Sequence, residues 1–188
     1  MKKYLKMRNV VAVAICLAAT TNLFAGNPVT VKSGDVSVLK TPVKALLEVD
    51  YSTTKVGDVT LAEYLKKQGA DHVKDWQQDK EKAISYFERY FNAKNKKGLQ
   101  TTTDASEASY KIVIHVKNLD FGNAAGFFVS HYTGGAKITG TVDIIDLKTQ
   151  KVVCNIYIDR LEGSSAPSDV LRLSLMYNKL AMKLLKLK

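Results

Sequence analysis

Three histidines, His72, His115 and His131, are the residues of this chain whose type suits proton transfer near neutral pH. No pair of them has the i, i+4 spacing of a helical metal motif, and none sits in a Cys/His cluster. Ser130 and His131 are neighbours, but no Gly-x-Ser-x-Gly elbow presents a nucleophile. His72 reads as a residue at a helix start, His115 as the solvent side of a strand between lysines, and His131 as a loop residue. A small periplasmic hydrolase or a ligand-binding enzyme using His131 or His115 is the enzyme reading these positions allow. Asp71, Asp75 and Asp79 recur every four residues, so three carboxylates share one helix face and could gather a cation. Lys74, Lys80 and Lys82 beside them fit a solvated, mixed-charge face better. Gly122, Gly126, Gly134, Gly135 and Gly140 lack the Gly-Lys-Ser/Thr ending and the helix start of a phosphate loop. No catalytic residue, metal ligand or cofactor site is assigned from these patterns.

A contact surface has a stronger signal. Asp120 to Tyr132 places Phe121, Phe127, Phe128 and Tyr132 among small, flexible residues. Long connections of that kind inside a domain are usually functional or disordered. Aromatic side chains also concentrate binding energy at interfaces. These four are the candidate partner-binding residues. The competing assignment folds Phe121 and Phe127 back to seal the core edge.

Elements positioning these residues follow from the hydrophobic period. Residues 26–41 read as an extended lead-in with a short strand at Val36–Leu39, and Val43 to Tyr51 as the first full strand. Thr60-Leu61-Ala62-Glu63 is a capping box that opens a helix ending at Gly69. Asp71 is expected to cap a longer helix through Trp76, Ile84, Phe87 and Phe91, closed by Gly98. Thr101 to Ala108 reads as a loop. Tyr110, Ile112, Ile114 and Val116 alternate with polar residues as a half-buried strand. Asn118 to Gly135 reads as one long connection. Ala136–Asp146 and Lys151–Glu162 form a hairpin around Leu147-Lys148-Thr149-Gln150. In its second arm the alternation sets Val152, Cys154, Ile156 and Ile158 on the buried face, making Cys154 an inert small hydrophobe. After Pro167 a helix carries Leu173, Met176, Tyr177, Leu180, Leu184 and Leu187 on its core stripe, with Arg172, Lys179, Lys183 and Lys186 opposite. Strands in a meander with segregated helices predict an α+β, two-layer sandwich: a mixed, mostly antiparallel sheet of four or five strands with helices on one face.

The amino terminus supplies an address. Lys2, Lys3, Lys6 and Arg8 precede an apolar run from Val10 to Ala19 and a small-residue site ending at Ala25. That order predicts a signal peptide over 1–25 and a single domain over 26–188. The apolar run is shorter than the ~20 residues a membrane span needs. Cys16 would be a lipidation site, but Ile15 is bulky where such sites want a small residue. Membrane anchoring is expected only if Cys16 is lipidated. Removing 1–25 takes four basic and no acidic residues, so the net charge falls from +10 to +6. Arg89, Arg160 and Arg172 are the three arginines left, an imbalance toward lysine that argues against nucleic acid as a partner. Cys154 is then the one remaining cysteine, which excludes an intramolecular disulfide.

Three segments together resemble small exported bacterial envelope domains: Ala108 to Ile114, Gly135 to Asp146, and Lys148-Thr149-Gln150-Lys151-Val152-Val153. With the lysine-rich style, the pattern is similar to exported Bacteroidetes-type envelope proteins. More distantly it resembles domains of curli-secretion lipoproteins, penicillin-binding-protein activators and the amino-terminal part of TolB. The likeness spans residues 105–188. It implies an exported, periplasmic or outer-membrane-associated binding or assembly module whose partner is an envelope protein or cell-surface polymer. It carries over no catalytic residue.

Overall fold

The computed structural model describes residues 26–122 and 134–187. Its strands are β1 (Val29–Gly34), β2 (Lys44–Asp50), β3 (Lys55–Val56), β4 (Val59–Thr60), β5 (Gln100–Thr102), β6 (Tyr110–Asp120), β7 (Lys137–Asp146) and β8 (Lys151–Glu162). The α-helices are α1 (Leu61–Gln68), α2 (Ala70–Lys94) and α3 (Asp169–Leu184). They build one mixed sheet in the order β1-β8-β7-β6-β2-β5, with β3 joining β6 and β4 joining β3. The α+β architecture is as expected, but the sheet has eight strands rather than four or five. The excess lies in β3, β4 and β5, which are two or three residues long and too short to show an alternation.

The centre of the sheet follows the hydrophobic pattern. β6, β7 and β8 are an antiparallel meander, and β2 lies parallel to β6. A parallel neighbour requires a crossover, which α1 and α2 provide. α1 begins with the capping box: the Thr60 hydroxyl accepts from the Glu63 amide, and the Glu63 carboxylate accepts from the Thr60 amide. α2 opens without a side-chain cap after Gly69, so Asp71 is not the cap but an acidic residue in the first turn, where it suits the helix dipole. Asp35 accepts from the Ser37 amide and starts a 3-10 turn over Val36–Lys40, where a strand was expected. The lead-in contributes its strand earlier, as β1 at the sheet edge.

Ile112, Ile114 and Val116, with Ile138, Val142, Ile144, Cys154, Ile156 and Ile158, form the helix-facing side of the sheet. Against them pack Phe87 and Phe91 of α2, stacked with centroids 5.2 Å apart, and Leu173, Met176, Tyr177 and Leu180 of α3. Two expectations need correction here. Val152 is 51 % exposed, because β8 carries an extra residue, Val153, between the pairs Ile144–Cys154 and Ile145–Val152, and this turns Val152 to the other side. Arg172 is 1 % exposed; it leaves the polar side of α3 and turns inward to bond backbone carbonyls.

The second side of the sheet carries Glu48 and Asp50 (β2), Lys111, Val113 and His115 (β6), Thr139, Thr141 and Asp143 (β7), and Asn155 and Tyr157 (β8). Val113 is buried by its neighbours yet stands outside the core cluster. Among the described residues no helix is long and apolar enough to cross a membrane.

Candidate functional site

Three constellations bring together chemically capable side chains. The first spans four strands on the helix-free side of the sheet. Parallel register sets Asp50 beside His115, 65 positions apart, so Nδ1 of His115 meets Asp50 Oδ2 at 3.0 Å. Nε2 of His115 faces Asp143 Oδ2 at 3.4 Å, and Asn155 donates to the other oxygen of Asp143. Hydrogen bonds from Ser52, then from His115, hold the Asp50 carboxyl down to about 2. His115 is on the solvent side of its strand, as the alternation predicts. Its two carboxylate partners were not visible in the sequence, since strand pairing alone brings them to it.

The second constellation is the base of the aromatic connection. The Arg172 guanidinium donates from Nε to the Phe121 carbonyl at 2.6 Å, from Nη1 to the Ala166 carbonyl at 2.7 Å, and from Nη2 to Asp169. Phe121 is 6 % exposed, stacks on Tyr64 with centroids 5.2 Å apart, and meets Trp76 edge-on at 6.0 Å. It therefore occupies the core edge. Phe127, Phe128, Tyr132 and His131 lie outside the described residues. Gly122 has a φ of 71°, and a Cβ there would stand 2.3 Å from the Gly134 carbonyl oxygen. Only glycine lets the chain leave and return at so close an approach. His72 and Asp79 flank this base in a cleft of about 30 Å³, which has room for about one water rather than a substrate.

The third is a groove of about 510 Å³ where β6 ends and β7 begins, lined by Val56, Gly57, Asn118, Asp120, Lys137, Thr139 and Arg160 among others. Two bulges meet there. Lys117 is the extra residue of β6 opposite Gly140 and Thr139, and β8 spends two residues, Asp159 and Arg160, opposite Thr139 alone. Arg160 has a φ of 45°, a left-handed backbone that β-strand residues seldom adopt. The sequence did hold a sign of both bulges. Val116 to Leu119 and Ile158 to Leu161 are buried pairs three apart, where an unbroken strand keeps an even spacing.

Cys154 is buried, and burial with Asp35 and Asp143 nearby pushes its thiol up, away from nucleophilic use. Asp71 and Asp75 are exposed on α2, and among the described residues no three His, Cys, Asp or Glu side chains converge to hold a metal ion.

One polar pair lies within the core. Tyr51, the residue after β2, and Tyr177 of α3 share a hydroxyl–hydroxyl hydrogen bond, and burial raises both phenols above their ordinary range. A raised folded value means the stability from this pair is complete below the unfolded tyrosine value of ~10 and is lost as pH climbs above it. The melting temperature is expected to fall steeply between pH 10 and 11.5. A Tyr51→Phe, Tyr177→Phe double variant should show a flatter decline, read by thermal melts across that range. Equal slopes would remove these phenols as the cause.

No protein-family model matches the chain, and no curated protein matches it in sequence. Among solved structures, it is similar to the PelC dodecamer from Paraburkholderia phytofirmans at 13% identity, covering 83% of this chain and 95% of that one, with a TM-score of 0.45. It is also similar to a Xanthomonas campestris protein of family DUF330, at 12% identity over 78% and 84% of the two chains, TM-score 0.38. A neuraminyllactose-binding hemagglutinin homologue from Helicobacter pylori shares 10% identity over 77% and 87%, TM-score 0.31. These values describe a distant likeness in the course of the chain.

Proposed function

We propose that this is an exported cell-envelope protein acting as a non-enzymatic binding or assembly module for a protein or cell-surface polymer. The carrying observation is the placement of an open, hydrogen-bonding groove at the end of the sheet where the aromatic connection begins and ends. Asp120 and Lys137, register partners that close β6 and open β7, line the groove and bracket residues 121–136. Arg172 fixes the departure of that segment at Phe121. A rigid base with aromatic residues beyond it suits a contact surface. The signal-like amino terminus and the resemblance to exported envelope domains support the location.

Hydrolysis by His115 is the second reading, favoured by its contact with Asp50. Both ring nitrogens face carboxylates, however, at 3.0 and 3.4 Å, so neither is turned toward a nucleophile.

A Phe127→Ala, Phe128→Ala double variant tests the binding reading. Captured material from envelope extracts is compared with wild type, alongside thermal melts. Each ring contributes about 1–2 kcal/mol in a desolvated contact, so capture should fall at least tenfold with the melting temperature unchanged. A large fall in melting temperature, with capture tracking the folded fraction, would return these rings to the core. Turnover of ester, peptide or glycoside substrates that is lost in His115→Ala would establish the hydrolase instead.

A further inference from the structure

We infer that the groove at the β6–β7 end binds a carboxylate-bearing saccharide, with Arg160 as the residue that recognises the acid group. This rests on the binding-module reading and names the ligand class for it.

Arg160 holds a left-handed backbone inside β8. A φ of 45° is strained for any residue with a Cβ, and glycine would be the relaxed choice. Strained residues of this kind cluster at functional sites. The bulge supplies the aim: two residues of β8 oppose Thr139, which turns Arg160 out of the strand alternation and onto the groove wall. Its amide donates to the Thr139 hydroxyl oxygen at 3.3 Å, which ties the bulge to the groove floor.

The guanidinium is exposed and makes no ion pair with any described residue. Residues 1–25 and 123–133 contain no aspartate or glutamate that could neutralise it. Lys137, on the same wall, is already opposed by Glu162 at 3.8 Å. Among the described residues, the Arg160 guanidinium is the groove cation that no ion pair engages, and it is the planar, bidentate kind that matches a carboxylate.

The remaining lining selects the frame that carries the acid. Asn118 offers an amide, Thr139 a hydroxyl, and Asp120 a carboxylate whose Oδ1 accepts from the Gly122 amide at 2.8 Å. Asp120 would repel a dense polyanion such as a polyphosphate. Acceptors, donors and an exposed guanidinium in a shallow, solvent-open trough fit a hydroxyl-rich ligand with isolated carboxylates, which is an acidic sugar.

Calorimetric titration tests this with galacturonate trimers, glucuronate-containing tetramers and the methyl-esterified galacturonate trimer. The acidic oligomers should bind at least tenfold more tightly than the neutral ester, and inorganic phosphate at equal concentration should not displace them. Arg160→Gly should weaken the acidic oligomers at least tenfold while the melting temperature stays level or rises, because glycine takes the left-handed backbone without strain. Arg160→Lys should recover only part of the affinity. Equal binding of acid and ester, wild-type affinity in Arg160→Gly, displacement by phosphate, or no binding of the acidic oligomers at millimolar concentration would each overturn the inference. In those cases, aromatic-dependent capture from envelope extracts would leave the module reading standing and remove only the saccharide. Loss of that capture would remove the module reading itself.

Discussion

Gly140→Ala is expected to lower the melting temperature by roughly 6–12 °C, corresponding to about 3 kcal/mol at 2–4 °C per kcal/mol for a domain of this size. Gly140 pairs with Val116 in the centre of the sheet, beside the β6 bulge. A Cβ on it would stand 2.0 Å from the His115 carbonyl oxygen and 3.1 Å from its carbonyl carbon. Both atoms are backbone, so no side chain can swing aside. Relief requires β6 and β7 to part at the residue that positions His115 and starts the groove. Gly57→Ala provides the contrast. It has a φ of 62° but nothing within 4 Å of its Cβ, so strain of about 1–2 kcal/mol is its only cost. Thermal melts of the two variants separate overlap from conformation. A Gly140→Ala protein as stable as Gly57→Ala would mean the β6–β7 approach is looser than described.

Arg172→Leu is expected to destabilise by about 3 kcal/mol, because two carbonyls lose a buried charged donor. The Phe121 and Ala166 carbonyls, at 2.6 and 2.7 Å, belong to two separate segments, one leaving β6 and one leading into α3. The loss should therefore be felt first at the base of the aromatic connection. Hydrogen exchange at Gly122 and Phe121 should rise more than exchange in α2. Arg172→Lys should recover less than half of the loss, since one ammonium cannot reach three separated acceptors in the fork geometry of a guanidinium. Full rescue by lysine would reduce the role of Arg172 to charge alone.

Arg172 also shows where sequence reading meets its limit. Its charge put it on the lysine side of the last helix, and helical periodicity has no term for a long side chain that folds back to bond carbonyls from distant segments. Val152 failed for a related reason. Alternation is a local rule, and one inserted residue inverts every face beyond it. The β7–β8 hairpin and α1 were legible because their signals are local: a polar tip between two alternating runs, and a capping box closed within four residues. β3, β4 and β5 were not, since strands of two or three residues exist only through their partners. The site divides in the same way. Phe121 was picked out by composition, but its burial depends on Tyr64 and Trp76, which strand pairing and helix packing bring to it. Thr139 reads as a polar-side strand residue, Asn118 as the start of a connection and Arg160 as one arginine among three, until the paired bulges gather them into one wall.

Amide chemical-shift mapping separates the proposed binding reading at the sheet end from hydrolysis at His115. The isotope-labelled protein is titrated with the soluble polymer fraction of the cell envelope. Shifts confined to Asn118, Asp120, Lys137, Thr139 and Arg160 and to the connection between them, with the polymer recovered intact, are the predicted result. Shifts centred on Asp50, His115 and Asp143, or shortening of the polymer during the titration, would contradict it.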